Sequence, residues 1–309
     1  MKLSTRKLFS FSAVLLFSLP SFGQQVADPD FDTTVAKPAY GSKHPVVFLD
    51  EAHNNFHTAS GRYKPFADLM TNDGYKVIPN KQKFSKAALK GCDVLVISNA
   101  LGAVAMGSPE ASNPAFTEEE CDAVRDWVQQ GGNLLLIADH APMGAANERL
   151  AQRFGVDMSK GYTGDPENRD EVSGSDTNLK FNLENKLLGD HPITRGRDDS
   201  ERISRIISFT GQSLKGPKDS VAFMKLADTA VDFTRGPQGS EGTTKSAAGR
   251  AQGIALKFGK GRVVVMGEAG MMSAQLAGPT KRKFGMNRPG IDNRQLALNI
   301  MHWLSGLLK

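Results

Sequence analysis

Three short apolar runs in this chain end in acidic or histidine residues. Val46-Val47-Phe48-Leu49 precedes Asp50, Leu134-Leu135-Leu136-Ile137-Ala138 precedes Asp139-His140, and Val263-Val264-Val265-Met266-Gly267 precedes Glu268. Unbroken apolar runs of this length, bounded by turn residues, predict strands covered on both faces of a parallel sheet. Between them the pattern changes period. Residues 63–72 read as a helix stopped by Asp73-Gly74 and followed by a strand over 75–78. A helical turn or two over 86–90 precedes a strand over 93–98. Thr117 and Glu120 form a capping box that opens an amphipathic helix with Val124, Trp127 and Val128 on one face. Gly131-Gly132 ends it, and a helix over 147–154 follows the strand at 134–138. Such alternation implies a right-handedly wound parallel sheet.

The second half reads differently. Strands are predicted over 221–226, 254–258 and 262–266, the last two joined through Gly259-Lys260-Gly261 as a hairpin. A terminal apolar helix carries Leu296, Ile300, Met301, Trp303 and Leu304. Residues 157–180 and 234–253 are polar and Gly-rich, which predicts long surface loops, the first a candidate lid.

Composition narrows the class. Lys2, Arg6 and Lys7 precede an apolar stretch over 8–19, and Ser21-Phe22-Gly23 offers small residues for cleavage, so residues 1–23 read as a signal peptide. The stretch is too short for an ordinary membrane span, and the expected location is periplasmic or secreted. Without this leader the formal charge falls from +5 to +2, and no clustered basic face remains for nucleic acid. Residues 24–43 read as a linker. Only two cysteines are present. A helix packed antiparallel to its strand sets Cys92 and Cys121 toward opposite ends of a layer, beyond the roughly 7 Å a disulfide spans, so two free buried thiols are expected.

Ligands of open α/β sheets bind beyond the carboxyl ends of the strands. Asp50, Asp139, His140 and Glu268 are therefore expected on one edge, with His53 and His57 close behind Asp50. Imidazole and carboxylate together suit zinc, manganese or iron, which makes Asp50, His53, His57 and His140 candidate metal ligands. The spacing lacks the glutamate of a zinc-peptidase helix. At the turn after Ala138 there is no Ser or Cys nucleophile. His140 is a candidate base or ligand oriented by Asp139, or Asp139 simply caps the next segment. His191, Asp292 and Arg294 are weaker candidates, with local turn, capping or anion-binding roles.

The succession of the 46–50 strand, the 134–138 strand with its sharp turn, His191-Pro192-Ile193-Thr194, Gly261-Arg262-Val263-Val264 and Asn299-Ile300-Met301-His302-Trp303-Leu304 resembles class I glutamine amidotransferase-like proteins. It is most similar to the ThuA-like proteins and to the amidotransferase-like domains of gliding-motility and intraflagellar-transport proteins. The resemblance implies, over residues 44–309, a flavodoxin-like three-layer α/β sandwich with a mainly parallel sheet and an antiparallel C-terminal hairpin addition. Asp139-His140 stands where amidotransferases carry the elbow cysteine, so glutamine hydrolysis is not expected. Two readings remain. One is an exported hydrolase of a small polar or carbohydrate substrate, either metal-assisted with Glu268 or Asp139 as base, or metal-free with His140 as base. The other is a non-catalytic binding domain for a sugar, a peptide or a cell-envelope protein partner.

Overall fold

Among the described residues (25–234, 236 and 242–309), nine strands form the central sheet of this computed structural model. The predicted leader lies outside those residues. In chain order the strands are β1 (Val46–Asp50), β2 (Lys76–Asn80), β3 (Val94–Ser98), β4 (Asn133–Ile137), β5 (Asp157–Met158), β6 (Leu214–Lys215), β7 (Val221–Lys225), β8 (Ala251–Phe258) and β9 (Gly261–Met266). They lie in the spatial order β2-β1-β3-β4-β9-β8-β6-β5, with β7 also paired to β8. The first five of that order are mutually parallel, and β8, β7, β6 and β5 continue antiparallel. The expected hairpin is therefore β8–β9, but it is not a peripheral addition. β9 pairs with β4 in parallel and carries the strand ends of the site into the middle of the sheet.

Alternation along the parallel strands builds the two cores. Leu135 and Ile137 face one layer with Val47, Leu49, Val96 and Val264, against α1 (Lys64–Asn72) and α5 (Asn293–Leu304). Leu134 and Leu136 face the other with Leu95, Ile97, Val263 and Val265, against α2 (Glu118–Gln129) and α3 (Met143–Gln152). This is a flavodoxin-like α/β sandwich. The capping box forms as expected, Thr117 Oγ1 accepting from the Glu120 amide and Glu120 from that of Thr117. Cys92 and Cys121 are free and buried in the α2/α3 layer, and burial pushes their thiols up to about 12 and about 11. No helix among the described residues is long and apolar enough to cross a membrane.

Several segments depart from expectation. Residues 86–90 form turns, not helix, because Gly91 (φ +80°) ends the segment before a helix can propagate. α3 begins at Met143, with Pro142 at its N-cap. That is four residues before the expected start at 147, and the helix ends at Gln152 instead of 154. The expected linker 24–43 is held in place where it is described: Val26–Ala27 pairs with Ala274–Ala277, and Phe31, Val35 and Tyr40 pack on the core. The polar stretch 157–180 is buried in part. Tyr162–Gly164 pairs with Val231–Phe233, which pairs in turn with Thr244–Ser246. Thr163 can be buried because its hydroxyl donates to Asp232 at 2.6 Å.

His53 is the other surprise. It is fully buried between Phe84 and Phe116, with Nδ1 2.8 Å from Asp50 Oδ2 and Nε2 2.9 Å from Glu120 Oε1. Glu120 also accepts from the Phe84 amide, so one carboxylate joins the β1 loop, the 80–84 segment and the start of α2. Removing one side of a buried hydrogen-bonded pair leaves its partners unsatisfied, at a typical cost of about 1–3 kcal/mol. His53→Ala is therefore expected to lose that much stability in urea unfolding, and a loss under about 1 kcal/mol would contradict a structural role for this knot.

Candidate functional site

Parallel register decides which side chains meet. Met266 of β9 is opposite Ile137 of β4, and Ser98 of β3 is opposite the same residue. Two residues further along β4 and β9 stand Asp139 and Glu268, at matching positions on neighbouring strands, whose spacing is about 4.8 Å. One residue beyond β3 stands Asn99, whose side-chain oxygen accepts from the Asp139 amide at 2.9 Å. These three lie in a cleft of about 750 Å³ whose walls include His57, Arg62, His140, Tyr162, Thr210 and Phe284. Asn99 (φ +50°) and Thr210 (φ +72°) both hold left-handed backbone. For a β-branched threonine this is strained, and such strain gathers where a surrounding site fixes the geometry.

The two acids are unusual in lacking a counter-charge. Asp139 is 9% exposed and Glu268 fully buried, yet among the described residues neither has a Lys or Arg at ion-pair distance. Both Glu268 oxygens are held by backbone amides, Oε1 from Gly270 at 2.6 Å and Oε2 from Met271 at 2.8 Å. Asp139 Oδ1 accepts from the His140 amide at 2.8 Å. Burial disfavours the charged form of each, and the neighbouring Asp139 charge adds repulsion at Glu268. Asp139 is raised to about 7 and Glu268 to about 8, against the downward pull of their backbone donors. The Asn99 amide also stabilises ionised Asp139, although its Nδ2 makes no well-formed hydrogen bond.

Around the pair, His57 stacks on Tyr63 (4.4 Å) and contacts Ser98 Oγ through Nδ1 at 3.1 Å, and the Tyr63 hydroxyl donates to Ala269 O. Burial, then the nearby Arg62 charge, lowers His57 to about 3, so its ring is neutral at physiological pH. His140 stacks on Tyr162 (4.7 Å), and its Nδ1 donates to Ala141 O at 2.7 Å. That bond makes Nδ1 the protonated nitrogen, since a carbonyl oxygen can only accept. Gln212 ties the two strand ends together. Its Nε2 donates to Ala138 O and Asp139 O, and its backbone amide donates to Gly267 O. A Cβ on Gly144 would lie 2.3 Å from its Oε1.

Of the sequence candidates, Asp139, His140, Glu268 and His57 share the cleft, whereas Asp50 and His53 do not line it. The proposed metal ligands Asp50, His53, His57 and His140 are therefore not one donor set: His53 is held by Asp50 and Glu120, and His57 faces Ser98. No group of three or more His, Cys, Asp or Glu side chains among the described residues is arranged to hold a metal ion. His191 caps the short helix α4 (Pro192–Arg195). Asp292 binds the Ser204 and Arg205 amides without capping α5 through its side chain, and Arg294 donates to Thr34 O. Asn99 was missed, although its place directly after a buried strand was the available signal. Gln212, Thr210 and Phe284 sit in segments with no periodicity to announce them.

Because folded Asp139 and Glu268 titrate above the usual carboxylate range, the folded state binds protons more tightly than the unfolded chain. Their effect on stability is therefore neutral below about pH 4 and increasingly unfavourable as pH rises toward 8. Denaturation between pH 4.5 and 8 is expected to show stability falling by on the order of a few kcal/mol. Asp139→Asn with Glu268→Gln should flatten that slope, and an unchanged slope in the double variant would contradict the assignment.

No family model matches the chain, and no curated protein is a significant sequence match. Solved structures are similar in fold. The N-terminal domain of mmIFT52 superposes with a TM-score of 0.58 at 13% identity, covering 84% of this chain and 97% of that one. Cytoplasmic protein STM3548 of Salmonella typhimurium gives 0.46 at 13% identity, with 84% and 98% covered. A protein described as ThuA-like from Bacteroides uniformis gives 0.46 at 14% identity, with 86% and 94% covered. At these identities the likeness is one of fold: the chain shares the α/β fold of the mmIFT52 N-terminal domain.

Proposed function

We propose that this chain is a hydrolase of a small polar substrate and that Asp139 and Glu268 form its acid–base pair. The observation that carries this reading is two carboxyls at neighbouring strand ends in an open cleft, with no Lys or Arg among the described residues to neutralise them. Burying unpaired acids is costly, and amide side chains would pack there at less cost if shape alone mattered. With the two acids raised to about 7 and about 8, the pair holds a proton near neutrality. The protonated member can donate to a leaving group, and its ionised partner can take a proton from attacking water. His140 stands at the wall of the same cleft. The Asn99 Nδ2 group, buried without a hydrogen bond, is a donor for an oxygen that gains negative charge in the transition state.

The cleft volume falls within the roughly 300–1,000 Å³ of small-molecule sites, and its mix of aromatic rings and polar side chains suits a carbohydrate-sized substrate. The leader read from residues 1–23 would deliver this activity to the periplasm or the exterior. Cysteine chemistry does not fit, since neither thiol lines the cleft and both are pushed far above neutrality. The alternative of a binding domain is favoured by one observation, the lack of a nucleophile at the turn after Ala138.

The test is a hydrolase screen with glycoside and ester substrates, followed by kinetics on the best one. Asp139→Asn and Glu268→Gln are each expected to lower kcat by about 10²–10⁴-fold with a bell-shaped pH profile in the parent. Activity within threefold of the parent in both variants would overturn the assignment. Tight substrate binding without turnover in the parent would establish the binding domain instead.

A further inference from the structure

A second cavity of about 430 Å³ adjoins the cleft and shares Ser173, Asn178, Phe209, Arg282 and Phe284 with it. Its charges are unevenly matched. Arg288 is neutralised by buried Asp170, 2.7 Å away. Arg282 and Lys283, exposed on the strand Arg282–Gly285, have no carboxylate at ion-pair distance among the described residues. The floor is aromatic, with the Phe209 and Phe284 rings 4.3 Å apart at 41°. Arg62, also in the cleft wall, has no carboxylate at ion-pair distance among the described residues, its guanidinium lying over Phe56 at 4.1 Å and its Nε donating to Gln25 O. The cleft that holds the acid pair thus carries Arg62 and Arg282, neither neutralised among the described residues, and Arg282 also lines the smaller cavity with Phe209 and Phe284.

Resting on the hydrolase reading above, we propose that this outer cavity is a subsite for an anionic group on the part of the substrate beyond the reacting bond. Arg282 and Lys283 hold the anion, and Phe284 supports the ring or chain that carries it. Guanidinium and ammonium together recognise carboxylate, sulfate or phosphate oxygens. The substrate class is therefore a polar molecule that carries a negative charge on the part beyond the scissile bond. A neutral analogue would leave both cations in place but unused and would bind more weakly.

Inorganic sulfate is the probe, because it carries the recognised chemistry and does not titrate near neutrality. Side-chain 1H–15N correlations of Arg282 are followed in the full-length mature protein as sulfate is added at constant ionic strength. Saturable shifts at millimolar sulfate are expected, weakened at least tenfold in Lys283→Gln and retained in Asp139→Asn/Glu268→Gln. Linear, non-saturating shifts, or the same affinity in Lys283→Gln, would overturn the subsite. Because the acid-pair variant keeps the anion site, loss of activity there with sulfate binding intact separates the two claims. An active enzyme without sulfate binding would refute the subsite alone.

Discussion

The parallel register of β1, β3, β4 and β9 aligns four strand ends on one edge, and the chemistry of the molecule follows from that alignment. Ile137, Ser98 and Met266 stand in one row, so the residues just after them are brought together whatever their distance in sequence. Asp139 and Glu268 are 129 positions apart in the chain and neighbours in space. The twin apolar layers beneath them keep water away from the sheet. The result is two acids that cannot both ionise cheaply, held on backbone amides.

Two kinds of buried charge in the molecule resolve the same physical problem in opposite ways. His53 satisfies its burial by lying between two carboxylates, and Asp73 does so with His302 at 2.7 Å. Those groups join elements and leave nothing for a ligand. Asp139 and Glu268 have no such partner and instead face an opening. Burial against a partner side chain marks structure, and burial without one beside a cavity marks a site.

Much of this was legible in the sequence. Apolar runs ending in Asp139-His140 and Glu268 announced both strands and their exposed ends, since a run buried on two faces has few alternatives. The capping box at Thr117 and Glu120 gave the start of α2 for the same local reason. What the residues could not announce was pairing across distance. Asp50, His53 and His57 looked like ligands because they crowd into eight positions, but the partner that claims His53 is Glu120, 67 residues away. The walls of the cleft were equally silent. Thr210 and Phe284 come from irregular or short segments, and the 157–180 stretch was read as surface because its buried side chains are polar ones satisfied by remote partners such as Asp232 and Arg288.

The most direct test of the account is the protonation state of the two acids, read by 13C NMR of the Asp and Glu side-chain carboxyls between pH 4 and 9, with Asp139→Asn and Glu268→Gln used for assignment. The account predicts two carboxyl signals that titrate together well above the ordinary range, near pH 7 and 8, each shifting when the other residue is replaced. Two signals titrating independently near pH 4 would contradict it, because the cleft would then hold two ordinary carboxylates and no shared proton.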